Sequence, residues 1–162
     1  MSDKTYLDWP FFDDAHRRLA QELEAWIPSN TGGDHPADVD AACRNLVKRL
    51  GRDGWLRYAV GGTANGGRFD AIDTRSICLL RETLARHSGL ADFAFAMQGL
   101  GSGALTLHGT PEQRQRYLTK VAAGEAIPAF ALSEPGSGSD VAAMDCAARA
   151  EGDHYVLNGE KT

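Results

Sequence analysis

The chain has 162 residues, 43% of them hydrophobic and 24% charged, a soluble globular composition with room for one domain and part of another. Its formal net charge of −5 gives no electrostatic case for nucleic acid or for an anionic membrane. The three cysteines, Cys43, Cys78 and Cys146, are odd in number and far apart, which argues against a disulfide framework or a CxxC metal or redox motif and fits a reducing, cytoplasmic setting.

The N-terminal stretch Met1 to Leu7 is polar and reads as neither a secretory signal nor a membrane span. Phe12, Ala15, Leu19, Leu23 and Trp26 recur at helical spacing and predict an amphipathic helix from Asp13 to about Trp26, capped by Asp13 or Asp14. Pro28 to Pro36 reads as a polar loop. Val39, Cys43, Leu46 and Leu50 mark a second helix closed by Gly51, with Arg44, Lys48, Arg49 and Arg52 on its wet face. Gly61 to Gly67 reads as a flexible glycine loop; without the Lys-Ser/Thr of a P-loop it gives no phosphate site.

Ile72, Ser76, Leu79, Leu80, Thr83 and Leu84 set a third helix that ends near Ser88, where His87 suits the negative end of the dipole. Leu90 to His108 carries almost no charge and predicts a central helix buried on every face. Gly99 to Ala104 satisfies the letters of GxGxxA, but no β-branched strand precedes it and no βαβ repeat surrounds it, so its small residues are read as allowing close packing. Thr110, Pro111 and Gln113 form a capping box with proline at the first helical position. The helix they open should bury Tyr117, Leu118 and Val121 and stop at Gly124.

Beyond that point the pattern changes. Ala126 to Leu132 is short and apolar and predicts a buried strand, with Pro128 near its start or on an edge. Glu134-Pro135-Gly136 has type II turn chemistry, and Ser139 is placed to cap a short helical turn whose end suits an anion or a carbonyl. Cys146 to Ala150 and Tyr155 to Leu157 flank Glu151-Gly152-Asp153 as a hairpin, and Asn158-Gly159 predicts a second, type I′ turn. A chain that turns there and stops at Thr162 leaves a sheet edge without its return strand, and is expected to be a piece of a longer protein. The organisation expected is α+β: a helical bundle over residues 1–124, then residues 125–162 as the opening strands of an antiparallel, barrel-like β domain.

Phe130-Ala-Leu-Ser-Glu-Pro-Gly-Ser-Gly-Ser-Asp140, followed by Leu157-Asn-Gly-Glu-Lys161, resembles the flavin loop of the acyl-CoA dehydrogenase family. That family shows an aromatic, two small or apolar residues, Thr or Ser, then Glu-Pro-x-x-Gly-Ser-Asp. Leu107 to Leu118 and Gly124 to Ala126 resemble the helix and linker that enter its middle domain, and the likeness covers the chain well from about Ala71 onward. Ser137 stands where Ala or Gly is common, and Tyr58 to Gly62 departs from the family's Pro-Glu before a Gly-Gly pair.

The resemblance implies FAD as cofactor and an acyl-CoA thioester as substrate, with α,β-dehydrogenation to the trans-2-enoyl-CoA. A carboxylate base takes the proton beside the carbonyl while hydride leaves the next carbon for the flavin, whose growing negative charge needs donors nearby. Phe130, Ala131, Leu132 and Ser133 would contact the flavin, Gly138 and Ser139 the cofactor, and Ser139 also the thioester-CoA end. The catalytic glutamate is expected beyond residue 162. Glu134 matches a motif glutamate that is not the base. The 162 residues alone are therefore expected to be inactive. Phe95, Ala96 and Gln98 are candidates to line the acyl pocket. The resemblance also implies an electron-transfer flavoprotein or similar acceptor and a homotetramer. Two other readings stand beside it: a non-enzymatic or split helical interaction module, and a flavin oxidase or monooxygenase of the same fold.

Overall fold

The computed structural model describes residues 3–32 and 36–162; Met1, Ser2 and, within the expected polar loop, Gly33, Asp34 and His35 lie outside the described residues. Among the described residues, five α-helices are followed in sequence by one two-stranded antiparallel sheet: α1 (Asp14–Asn30), α2 (Val39–Arg52), α3 (Thr74–His87), α4 (Gly89–His108), α5 (Pro111–Ala122), β1 (Ala147–Glu151) and β2 (His154–Asn158). The chain divides into two compact units, the first ending at Ala129 and the second spanning Phe130–Thr162.

Local chemistry sets the helix starts. Asp13 caps α1 by accepting from the backbone N–H groups of Ala15 and His16, Asp38 caps α2, and Asp73 caps α3. Thr110 and Gln113 complete the expected capping box of α5. His16 is almost fully buried between two of these caps, its Nδ1 at 2.9 Å from Asp13 Oδ1 and its Nε2 at 2.8 Å from Asp73 Oδ2. The imidazole thereby ties the start of α1 to the start of α3.

Apolar faces then assemble the first unit. Leu19, Leu23 and Ile27 of α1, Leu46, Val47 and Leu50 of α2, Leu80 and Leu84 of α3, and Ala91, Ala94 and Phe95 of α4 form one core, closed by Trp55 and Leu56. A smaller cluster joins Val60 to Leu118, Val121 and Ala122 of α5.

Several helical expectations change. α1 runs through Pro28 to Asn30 instead of stopping near Trp26. Its last turn is held by side chains, Asn30 donating to the Trp26 carbonyl within the helix and Arg49 of α2 donating to the Asn30 carbonyl from outside it. Gly51 lies inside α2 and does not end it. Its role is close approach: a Cβ there would sit 2.4 Å from the carbonyl carbon of Ala123 and the nitrogen of Gly124. Gly61 to Gly67 is pinned, with the Gly62 N–H donating to the Phe69 carbonyl and the Gly67 N–H to the Gly62 carbonyl.

α4 is buried on one side only. Ala91, Ala94, Phe95, Gln98 and Ser102 face the core, whereas Phe93, Leu100 and Leu107 are more than half exposed. Tyr117 of α5, expected inside, is also exposed, with the Arg116 guanidinium over its ring. The small residues of α4 do permit a close approach, but to the chain following α5: a Cβ on Gly101 would meet Pro128 and the Ala129 carbonyl at 2.9 and 3.0 Å.

Ala126 to Leu132 forms no strand. It has no ladder partner among the described residues, and Ile127 and Phe130 are exposed. In the second unit β1 and β2 pair from Ala147↔Asn158 to Glu151↔His154 around a turn at Gly152, as the hairpin pattern predicts. The type I′ turn at Asn158-Gly159 is absent, since Asn158 does not take the positive φ it would need. Asn158 ends β2, and Gly159 passes over Cys146 so closely that a Cβ would lie 2.6 Å from its Sγ. No helix among the described residues is long and apolar enough to cross a membrane.

Candidate functional site

The candidate site is the loop that opens the second unit. Glu134 and Ser137 exchange both backbone hydrogen bonds, at 2.8 and 3.1 Å, which closes Pro135 and Gly136 into a tight turn. The turn is not type II, because Gly136 does not take positive φ. The short helical turn that follows is Val141–Ala143, capped by the Asp140 carboxylate and not by Ser139. With the Asp140 carboxylate on its Ala142 N–H and the Ala143 N–H given to the Asp140 carbonyl, that turn is not the anion site the pattern suggested. The Ser137 hydroxyl, buried, donates to the Asp140 carbonyl at 2.6 Å and fixes the loop from within.

Glu134 organises the rest. Its side chain is nearly buried and accepts the backbone N–H groups of Asp145, at 2.7 Å, and Cys146, at 3.1 Å. Lys161 completes the set, its Nζ donating to Glu134 Oε1 at 2.7 Å. The Lys161 ammonium, then the Asp145 and Cys146 amides, hold the Glu134 carboxyl below the usual glutamate range. A glutamate so engaged is an anchor. Held in its ionised form by these three donors, it is a weaker proton acceptor than an unengaged glutamate.

The same ammonium donates to the Leu132 carbonyl at 2.9 Å and lies 3.3 Å from Met144 Sδ. The Thr162 N–H donates to the Ser133 carbonyl at 3.0 Å. Residues 161 and 162 thus grip residues 132, 133 and 134 through two carbonyls and one carboxylate. Ser133 itself is exposed, and among the described residues neither its backbone N–H nor its hydroxyl has a hydrogen-bond partner. Ala131, Gly138 and Ser139 are exposed, Leu132 is half-buried, and the Phe130 ring stands 45% exposed. A Cβ on Gly136 or Gly138 would meet nothing within 4 Å, so the backbone there is open to a ligand.

Of the residues singled out from sequence, the structure gathers Phe130 to Ser133, Gly138 and Ser139 on this loop. Sequence reasoning missed the side chains that hold it: Ser137, Asp140 and Lys161, and the anchoring of Glu134. A carboxylate beside Pro-Gly and a lone lysine after a hairpin were the available signals, but a separation of 27 residues hides their pairing.

In the first unit, α4 lines an apolar trough of about 410 Å³ with Phe95, Ala96, Leu100 and Leu107, closed by Ala59 and Ile72. Gln98 does not line it; it is buried in the core, its Nε2 donating to the Ala94 carbonyl. A polar cleft of about 480 Å³ lies near the starts of α1 and α3, but the His16 ring on its wall is engaged on both nitrogens by the capping aspartates.

The family model described as acyl-CoA dehydrogenase, N-terminal domain, matches residues 13–125. The chain belongs to the acyl-CoA dehydrogenase family. Among curated relatives, a 3-(aryl)acrylate reductase from Clostridium sporogenes is 37% identical over 162 residues, which is 94% of this chain and 40% of the relative. The caffeyl-CoA reductase-Etf complex subunit CarC from Acetobacterium woodii is 43% identical over 151 residues, covering 93% of this chain and 37% of the relative. An acyl-CoA dehydrogenase from Bacillus anthracis, solved in complex with FAD, superposes with a TM-score of 0.73 at 31% identity, over 99% of this chain and 30% of that one. The chain thus spans about two fifths or less of the length of these acyl-CoA dehydrogenase relatives.

Proposed function

We propose that this chain is the N-terminal part of an FAD-dependent acyl-CoA dehydrogenase, with residues 1–124 as its helical domain and residues 125–162 as the start of the domain that carries the flavin loop. The observation that carries the proposal is Ser133: an exposed residue, held rigidly on both sides, whose N–H and hydroxyl donors have no partner among the described residues. A flavin fits such a loop. The exposed Phe130 ring and the open backbone at Gly136 and Gly138 offer apolar and main-chain surface for a planar group.

When bound, FAD would supply the hydride acceptor. This chain's own residues would bind and orient it. Ser133 would present two donors from a fixed backbone, so that no reorganisation is needed when charge develops beside them. Phe130, Ala131 and Leu132 would shield the cofactor from water, and Gly138 with Ser139 would approach the cofactor and the thioester end of an acyl-CoA. Within the first unit, Phe95 and Ala96 of the α4 trough offer an apolar surface of the kind an acyl group takes. Glu134 is not the base, because its carboxylate is fully engaged. The proton-abstracting carboxylate, an electron-transfer flavoprotein or similar acceptor, a cytoplasmic location and a homotetramer belong to the same proposal.

A second direction of reaction has specific support. The relatives that are 37% and 43% identical are named as reductases. The same site run in reverse would reduce a 2-enoyl thioester. The deciding experiment uses the full natural chain with FAD. Bleaching of the flavin by saturated acyl-CoAs of graded length supports the dehydrogenase, whereas reoxidation of the reduced flavin by a 2-enoyl-CoA without bleaching by the saturated one supports the reductase. Failure of the full chain to take up FAD refutes both. The 162 residues alone are expected to show no bleaching.

A further inference from the structure

We infer that Lys161 and Glu134 are positioning residues that act through Ser133, making the flavin-facing donors of this loop competent only when residues 161 and 162 are docked against it. The inference rests on the flavin-binding reading above.

The geometry is asymmetric in a telling way. Lys161 Nζ holds the residue before Ser133 by its carbonyl and the residue after it by its carboxylate, at 2.9 and 2.7 Å. The Thr162 N–H takes the carbonyl of Ser133 itself, at 3.0 Å. The Leu132 and Ser133 carbonyls and the Glu134 carboxylate are each engaged by the clamp, and Ser133 keeps its backbone N–H as a donor and its hydroxyl free to donate. Two unpartnered donors on one fixed residue suit an electron-rich edge that gains negative charge. The far side of the clamp is equally committed: Glu134 receives the amides of Asp145 and Cys146, so the segment leading into β1 is drawn to the same carboxylate.

Removing the ammonium would leave the nearly buried Glu134 carboxylate with two amides and no counter-charge, and the Leu132 carbonyl with no donor. The loop would then relax toward solvation of Glu134, and the Ser133 donors would lose their fixed direction.

The test uses the full natural chain in the variants K161M, K161R, E134Q, S133A and K161M/S133A. Flavin affinity is measured by fluorescence titration, and hydrogen exchange follows the Asp145 and Cys146 amides. K161M should weaken FAD binding by ~10-fold or more, the scale of a lost charge-assisted hydrogen bond. Exchange at Asp145 and Cys146 should quicken while the far-UV circular dichroism is unchanged. K161R, which keeps the charge, should recover most of the affinity. S133A should weaken binding by itself, and the double variant should bind no worse than K161M, because the clamp acts through the serine. E134Q provides the same reading from the other partner should K161M not fold. Wild-type-like FAD affinity in K161M and E134Q, or additive losses in K161M/S133A, overturns the inference while leaving flavin binding intact. A wild-type chain that takes up no flavin overturns the flavin reading, and this inference with it.

Discussion

Gly51 and Gly103 both lie inside helices, and replacing each with alanine should move stability in opposite directions. Helix propensity alone favours alanine over glycine by ~1 kcal/mol at an interior position. At Gly103 nothing lies within 4 Å of the added Cβ, so the full propensity gain should appear. At Gly51 the added carbon would lie 2.4 Å from the carbonyl carbon and oxygen of Ala123 and from the nitrogen of Gly124. Those are backbone atoms, and a Cβ on Gly124 would in turn lie 2.6 Å from the Val47 carbonyl oxygen, so neither segment can retreat without moving a helix. Overpacking costs ~1–3 kcal/mol where side chains can adjust. With backbone on both sides the upper end applies, and after the propensity gain G51A should be ~2 kcal/mol less stable than wild type. Thermal unfolding followed by far-UV circular dichroism should show a fall of roughly 5 °C for G51A and a small rise for G103A. If G51A melts at or above wild type, the backbone contact between α2 and the end of α5 is wrong.

The Tyr6 phenol is pushed up from 10.0 to about 12 by burial and by its hydrogen bond to Glu82. The neutral phenol is therefore the form the fold prefers. The stability it confers should be present below pH 10, shrink up to pH 12 and be missing in Tyr6→Phe, as denaturant titrations across that window would show. At the acid end, burial opposes ionisation of Asp73, yet the Ser76 hydroxyl, the His16 ring and the Arg75 guanidinium hold its carboxyl well below the usual range. The stability it confers is complete above the ordinary aspartate range and is lost as pH falls below it; Asp73→Asn should flatten that acid limb of a pH–stability profile. Thr110→Ala should cost ~1 kcal/mol and lower helicity measured by circular dichroism, since it removes a cap whose partner is the Gln113 N–H at 3.3 Å.

What could be read from the sequence followed the range of the forces involved. Asp13, Thr110 and Gln113 act within one helical turn, and the starts of α1 and α5 were legible for that reason. The end of α1 was not, because the turn after Pro28 is held by Arg49, 19 residues away from Asn30. The apolar composition of α4 suggested burial on every face, but composition cannot say which side finds a neighbour; Phe95 did, and Leu100 did not. The stretch 126–132 has strand composition without a strand partner among the described residues, and a ladder needs two sides. The family was legible in the loop motif itself, and the matched family model bears it out. The work of Ser137, Asp140 and Lys161 was not, because it depends on where a turn closes and where β2 ends.

The Lys161 bond to the Leu132 carbonyl joins positions 29 apart in sequence. Everything between them is a closed excursion whose two ends are fastened at one ammonium group. β1, β2 and the turn at Gly152 form the outermost part of that excursion, with every residue of both strands exposed. A longer or shorter turn at Gly152-Asp153 would therefore alter the reach of the hairpin and leave the fastened ends in place, since lengthening a loop already closed costs little. The tip of this hairpin is the position at which a tag, a label or a natural insertion can enter with the least effect on the loop carrying Ser133.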